Sequence, residues 1–198
     1  MNAAVIIDSG GANLASLQFA LERLGARAIV TSDVQTIARA PRVLLPGVGS
    51  AADAMRRLRG AGLTQLLPTL RQPVLGICLG MQLLFERSAE GATECLGILP
   101  GTVCRLEAAP GRPVPHMGWN QLSDPREDPI LDEIGPGEYF YFVHSYAVPT
   151  SEVTLAQVQY GDRICAAVRR GNFWGTQFHP ERSAAAGARL LANFLRLT

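Results

Sequence analysis

The stretch Pro73-Val74-Leu75-Gly76-Ile77-Cys78-Leu79-Gly80-Met81-Gln82 constrains this chain more than any other. Pro73 to Ile77 is a short apolar run, the pattern of a buried strand. Leu79 to Phe85 is also apolar-rich, but its Met, Gln and Leu residues suit a helix. Cys78 stands at the junction, with Gly76 two residues before it and Gly80 two after, so the stretch has the G-x-C-x-G form of a nucleophile elbow. Such a turn crowds the backbone, which glycine tolerates. It lifts the sulfur above the sheet and sets it at a helix N-terminus, where the positive dipole end favours a thiolate. It also aims the N–H of Leu79 at the same spot, which is half an oxyanion hole. On these residues alone a plainer reading stays open. Free Cys is commonly a small buried hydrophobe, here flanked by packing glycines.

The chain before the elbow alternates strand and helix patterns. Ala3 to Ile7 is continuously apolar and reads as a buried parallel strand, with a loop from Asp8 to Asn13 behind it. Leu14, Leu17, Ala20, Leu21 and Leu24 recur at helical spacing, and Gly25 closes that helix. Ala28 to Thr31 is a second strand, Asp33 caps a short helix to Ala38, and Arg42 to Leu45 is a third strand. A helix from Ala51 to Arg59 and a short one around Leu63 to Leu70 lead into the elbow strand. This alternation predicts a mostly parallel α/β sheet with helices on both faces, in which ligands lie beyond the carboxyl ends of the strands. Pro46-Gly47-Val48-Gly49-Ser50 leaves the third strand at that end. It reads either as a plain turn or as a loop whose N–H groups face a ligand, and beside a Cys elbow it offers the missing oxyanion donor.

After Phe85 the texture changes to a Gly/Pro-punctuated half with strand patterns at Thr102–Leu106, Tyr139–Val143, Thr154–Gln159, Ile164–Arg169 and Phe173–Gln177. Their close spacing predicts antiparallel strands added on or beside the main sheet, with turns at Gly161-Asp162 and Arg170-Gly171-Asn172. Ser123 to Pro136 reads as a surface loop, and a final helix runs from about Ala184 to Leu197. No internal repeat or linker is visible, so residues 1–198 are expected to form one domain.

A catalytic Cys needs a general base, and the chain has three histidines. His179 lies in Gln177-Phe178-His179-Pro180-Glu181, directly after a strand that Pro180 ends, with Glu181 close enough to orient its ring. In isolation a His–Glu pair is better read as a surface hydrogen bond. His116 in Pro115-His116-Met117-Gly118-Trp119-Asn120 is expected at the mouth of a site. His144 in Tyr141-Phe142-Val143-His144-Ser145-Tyr146 fits a mouth or a core position equally.

Composition closes off other chemistries. Eighteen basic residues, all arginine, nearly balance 17 acidic ones, and without a basic stripe nucleic acid is not expected as a partner. The absence of lysine removes a Schiff base or a P-loop lysine. Cys78, Cys95, Cys104 and Cys165 form no C-x-x-C and have no His cluster, so neither a zinc site nor a disulfide framework is expected. The first apolar run ends at Asp8 without a charged segment before it, and no stretch approaches membrane-spanning length. A reducing, cytoplasmic setting and no membrane partner follow as expectations.

In combination the motifs become specific. G-I-C-L-G-M-Q, followed about a hundred residues later by Q-F-H-P-E, resembles the class I (triad) glutamine amidotransferases. L-P-G-V-G-S, P-H-M-G-W-N and Y-F-V-H-S-Y narrow the likeness to the glutaminase subunits of imidazole glycerol phosphate synthases. The resemblance implies a flavodoxin-like sheet, no cofactor and no metal. It implies catalysis by Cys78, His179 and Glu181, with the oxyanion held by the N–H of Leu79 and one from Gly47-Val48-Gly49, that of Val48. It implies a glutamine cradle from Gly49, Gln82, Ser145 and Tyr146. It further implies ammonia transfer to a (βα)₈ cyclase subunit in a heterodimer, docked on the face carrying Asn13, Met117, Trp119, Tyr141 and Arg182. The chain departs from that pattern at Ser9-Gly10-Gly11, where D-Y-G-x-G-N is commoner, and at Arg182, where lysine is usual; arginine pairs differently from lysine. Three rivals remain at this point: a triad glutaminase serving pyridoxal phosphate synthesis, a flavodoxin-like Cys protein acting as redox sensor or chaperone, and a non-catalytic binding subunit. The P-G-V-G and P-H-M-G-W-N stretches count against the first, and the His-Pro-Glu partner against the second. The intact Cys, His and Glu count against the third.

Overall fold

The computed structural model describes residues 3–10 and 14–198. Elements in chain order are β1 (Ala3–Ile7), α1 (Leu14–Arg23), β2 (Arg27–Thr31), α2 (Val34–Ala38), β3 (Val43–Gly47), α3 (Ala51–Gly60), α4 (Leu63–Leu66), β4 (Val74–Cys78) and α5 (Leu79–Leu83). The second half holds β5 (Phe85–Ser88), β6 (Thr93–Glu94), β7 (Leu99–Arg105), β8 (His116–Gln121), β9 (Tyr139–His144), β10 (Tyr146–Ala147), β11 (Thr154–Tyr160), β12 (Asp162–Arg170), β13 (Phe173–Thr176) and α6 (Ala184–Arg196).

The main sheet has the order β11-β12-β13-β4-β3-β1-β2. Strands β2, β1, β3, β4 and β13 run parallel, while β12 and β11 are added antiparallel, as the strand spacing predicts. Strands β1, β3 and β4 are apolar throughout because alternate side chains serve opposite buried faces. On β1, Ala4 and Ile6 join Leu17 and Leu21 of α1 and Leu190 and Phe194 of α6. Val5 and Ile7 join Met55 and Leu58 of α3 on the other face. Local signals set the helix starts: Asp33 accepts the N–H of Thr36 at 2.8 Å, and Ser50 accepts that of Asp53 at 3.2 Å.

Chain order reverses between β1 and β3, the switch point where open α/β sheets bind ligands. Register then aligns the loops that matter. Gly47 pairs with Cys78 at the ends of β3 and β4, and Thr176 of β13 pairs with Ile77.

Three expectations are corrected. The helix after the elbow ends at Leu83, not Phe85, because the carbonyls of Leu84 and Phe85 receive N–H groups from residues 97–99 and the chain enters a small sheet, β10-β7-β5-β6. Ser123–Pro136 is not simply a surface loop. Ile130, Leu131 and Ile134 are buried, and Asp128 accepts from Arg169 Nη1 at 2.7 Å and Trp174 Nε1 at 3.0 Å. His116 does not sit at a mouth: it lies on β8, buried and paired across the ribbon with His144 of β9.

Candidate active site

Cys78 has φ 54° and ψ −113°, a strained conformation for a residue with a side chain. The tightness around it explains the glycines. A Cβ on Gly80 would lie 1.7 Å from the carbonyl oxygen of Leu45, and one on Gly76 would lie 2.7 Å from that of Gly80. The elbow therefore presses α5 against β3, close enough that only glycine fits.

His179 follows β13 and is fixed from both sides. Its N–H donates to the carbonyl of Tyr141 at 2.9 Å, and its own carbonyl accepts from Ser183 Oγ at 2.7 Å. Nδ1 lies 2.8 Å from Glu181 Oε1, and both side chains are about nine-tenths buried. With Nδ1 committed, Nε2 is the free nitrogen; it is buried and has no hydrogen-bond partner within the protein. Burial pushes the imidazole down, but the sulfur of Cys78 and the carboxylate of Glu181 outweigh it and raise the pKa to about 10. The site thus holds a protonated imidazole beside the sulfur at neutral pH.

Two chambers meet at Cys78. One, of about 280 Å³, is lined by Gly49, Leu79, Gln82, Glu90, His144, Ser145 and Tyr146. Gln82 donates from Nε2 to the carbonyl of Tyr146 at 2.8 Å and to Gln177 Oε1 at 2.9 Å, which leaves its oxygen for the chamber. The second, of about 220 Å³, is lined by Pro46, Gly47, Val48, Ile77, Val143, His179, Glu181 and Arg182. The structure therefore brings Cys78, His179, Glu181, Gly47, Val48, Leu79, Gly49, Gln82, Ser145 and Tyr146 together around one sulfur. Met117, Trp119 and Tyr141 lie on the outer side of the β8–β9 ribbon, where Met117 and Trp119 are 63% and 52% exposed. Asn13 lies outside the described residues. Ser9, in the loop that departs from the family pattern, is buried and donates to the Pro46 carbonyl at 2.8 Å, so it braces the end of β3.

Two residues escaped the sequence reading. Glu90 is the acidic side chain lining the first chamber, with Oε2 accepting the N–H of Ala51 at 2.7 Å. Gln177 is fully buried and donates from Nε2 to Cys78 Sγ at 3.8 Å. Gln177 heads the Q-F-H-P-E motif and is a polar side chain at the end of an apolar strand, but neither signal gives it a role. Among the described residues there is no group of His, Cys, Asp and Glu suited to a metal, and no helix long and apolar enough to cross a membrane.

Residues 5–197 match the family model for class-I glutamine amidotransferases. The chain is 52% identical over 197 residues to the imidazole glycerol phosphate synthase subunit HisH of Xylella fastidiosa strain Temecula1, covering 100% of this chain and 98% of that protein. It is 52% identical over 193 residues to the same-named subunit of Xanthomonas campestris pv. campestris, covering 98% and 96%. The solved structure of PurLQS from Thermotoga maritima contains a chain that superposes with a TM-score of 0.72 at 20% identity, over 98% of this chain and 97% of that one; this likeness concerns the fold.

Proposed function

The chain belongs to the class-I glutamine amidotransferases, and from that premise we propose that it is the glutaminase subunit of an imidazole glycerol phosphate synthase in histidine biosynthesis, with residues 1–198 working as one amidotransferase domain. One observation carries the reading: an elbow cysteine and an imidazole held at 2.8 Å by a buried glutamate converge at the ends of adjacent parallel strands.

The chemistry follows from that geometry. Glutamine enters the polar chamber, where the oxygen of Gln82 and the backbone around Gly49, Ser145 and Tyr146 hold it and the Glu90 carboxylate meets its ammonium. Cys78, as thiolate, attacks the side-chain carbonyl carbon. The oxyanion of the tetrahedral intermediate takes hydrogen bonds from the N–H of Leu79 and of Val48 in the Gly47-Val48-Gly49 loop. His179 gives its Nε2 proton to the leaving nitrogen, the C–N bond breaks, and ammonia departs from a γ-glutamyl thioester. Neutral His179 then takes a proton from water, which adds to the thioester and releases glutamate and the Cys78 thiolate. Glu181 holds the ring in register throughout.

The second chamber, walled by Val48, Ile77 and Val143, suits the departure of a small neutral molecule. The ammonia passes to a (βα)₈ cyclase subunit that makes imidazole glycerol phosphate and an aminoimidazole carboxamide ribotide. The cyclase docks on the face of Met117, Trp119, Tyr141 and Arg182, with Asn13 in the same set; large exposed apolar side chains of this kind mark contact surfaces. The setting is the cytoplasm, in keeping with four unpaired cysteines.

The test is glutamate release from glutamine by the chain alone and with a cyclase subunit and its nucleotide. Strong activity only in the complex, lost in Cys78→Ala, supports the reading. Activity indifferent to the cyclase moves the chain to another glutaminase subfamily, and release that survives Cys78→Ala removes the triad mechanism.

A further inference from the structure

The nucleophile touches a line of polar side chains that the triad does not use. Gln177 Nε2 faces Cys78 Sγ at 3.8 Å, and Gln177 Oε1 accepts from Gln82 Nε2 at 2.9 Å. The other hydrogen of that nitrogen goes to the carbonyl of Tyr146 at 2.8 Å. The same carbonyl lies 2.8 Å from His144 Nδ1, and His144 Nε2 lies 2.9 Å from His116 Nδ1. A carbonyl oxygen only accepts, so both groups that face Tyr146 must donate. That fixes the amide of Gln82, which in turn turns the oxygen of Gln177 toward Gln82 and its N–H toward the sulfur. In the other direction it puts a proton on Nδ1 of His144, leaving Nε2 to accept from Nδ1 of His116. One main-chain carbonyl thus sets the polarity of every link.

We propose that Gln177, Gln82, His144 and His116 form a positioning relay that aims Cys78 Sγ, with the Gln177 N–H as its donor to sulfur, beside the Val143 carbonyl of the same ribbon at 3.7 Å, and the β8–β9 ribbon as the anchor. The inference rests on Cys78 being the nucleophile. A cysteine side chain has three staggered positions, and a donor held on one side selects among them. The relay has little freedom to follow the sulfur, since its four side chains are all 6% exposed or less. Its anchor is rigid as well, because His116 and His144 are direct partners across the ribbon. The outer side of that ribbon carries Met117 and Trp119, so pressure there acts on the strands that hold the relay.

The experiment uses glutamine hydrolysis under conditions where the wild-type chain turns over, with Cys78→Ala as reference. Gln177→Met keeps length and removes the donor. His144→Leu cuts the middle link, and His144→Asn keeps an N–H where Nδ1 stood. Gln177→Met is expected to lower kcat about tenfold while KM for glutamine stays within about twofold. His144→Leu is expected to lower kcat several-fold, His144→Asn to recover most of that loss, and the double variant to be no slower than Gln177→Met alone. Alkylation of Cys78 by iodoacetamide should slow in the same order, which gives a reading for variants with little turnover. In the wild-type protein, nitrogen NMR should find both His116 and His144 as Nδ1–H tautomers. An unchanged kcat in Gln177→Met, single effects that multiply in the double variant, or an Nε2–H tautomer at His144 overturns the relay. Hydrolysis that survives Cys78→Ala overturns the triad reading instead.

Discussion

His179 and the His116–His144 pair are buried to nearly the same degree, at 7%, 3% and 6% exposed, yet one is held protonated and the other two neutral. Burial pushes all three toward neutrality. It prevails in the pair, bringing His116 down to about 4; at His144 burial, joined by the charges of His116 and His179, outweighs the Tyr146 hydrogen bond and brings it to about 3. At His179 a sulfur and a carboxylate reverse it, and the pKa rises to about 10. The lesson is that partner chemistry decides what a buried histidine does. Burial with no carboxylate or thiolate in reach keeps the ring neutral and makes it a strut. A carboxylate at 2.8 Å makes it an acid. The two sites are neighbours, since His144 lines the chamber above the same cysteine.

Removing the acid should have the larger effect. His179→Asn takes away both proton transfers while leaving the elbow intact, so kcat is expected to fall by about 10²–10⁴-fold with the protein still folded. Steady-state glutamate release together with a thermal melt checks this, and a loss below about tenfold would put proton transfer on another group. Glu181→Gln should come next, with kcat down by roughly 10²-fold, because it removes one of the interactions that raise His179 and frees the ring to rotate.

The pair and the acid should also separate in stability against pH. His179 has a folded pKa above its ordinary 6.5, so its contribution is full below pH 6.5 and is lost as pH rises toward about 10. The melting temperature of Glu181→Gln should therefore lie furthest below wild type near pH 6 and approach it near pH 10. His116 has a folded pKa below 6.5, so its contribution is full above pH 6.5 and is lost as pH falls toward about 4. His116→Phe should gain on wild type across that acid window. Parallel melting curves for both variants at all pH values would mean that the two sites do not differ in charge.

How far the sequence revealed each site differs for the same physical reason. Cys78, His179 and Glu181 are legible because local turns announce them: glycines two residues to either side of the cysteine, and a proline directly after the histidine. The parallel half of the fold is legible from its continuous apolar strands. The strut is not, because its links join residues 28 and 95 positions apart, His116 to His144 and Gln82 to Gln177, and no local pattern encodes that pairing. Glu90 escaped for a similar reason: it is placed by the N-terminus of α3, 39 residues earlier. Ser123–Pro136 reads as surface from its Pro, Asp and Glu content, while Arg169 and Trp174, 41 and 46 residues from Asp128, draw that carboxylate inside.

The smallest effect probes the strut directly. Tyr160 stacks on His116 with ring centroids 3.9 Å apart, and Phe142 covers the same imidazole at 4.9 Å. A neutral ring between two aromatic faces gains from contact area, whereas an imidazolium would add a cation–π attraction. Tyr160→Leu removes one face and is expected to cost about 0.5–1.5 kcal/mol in urea unfolding. Because His116 titrates at about 4, that cost should be equal at pH 6 and pH 8. A cost that grows as pH falls from 8 to 6 would show that His116 charges in that range. It would then resemble His179, and the contrast between a neutral strut and a charged acid would fail at its weakest point.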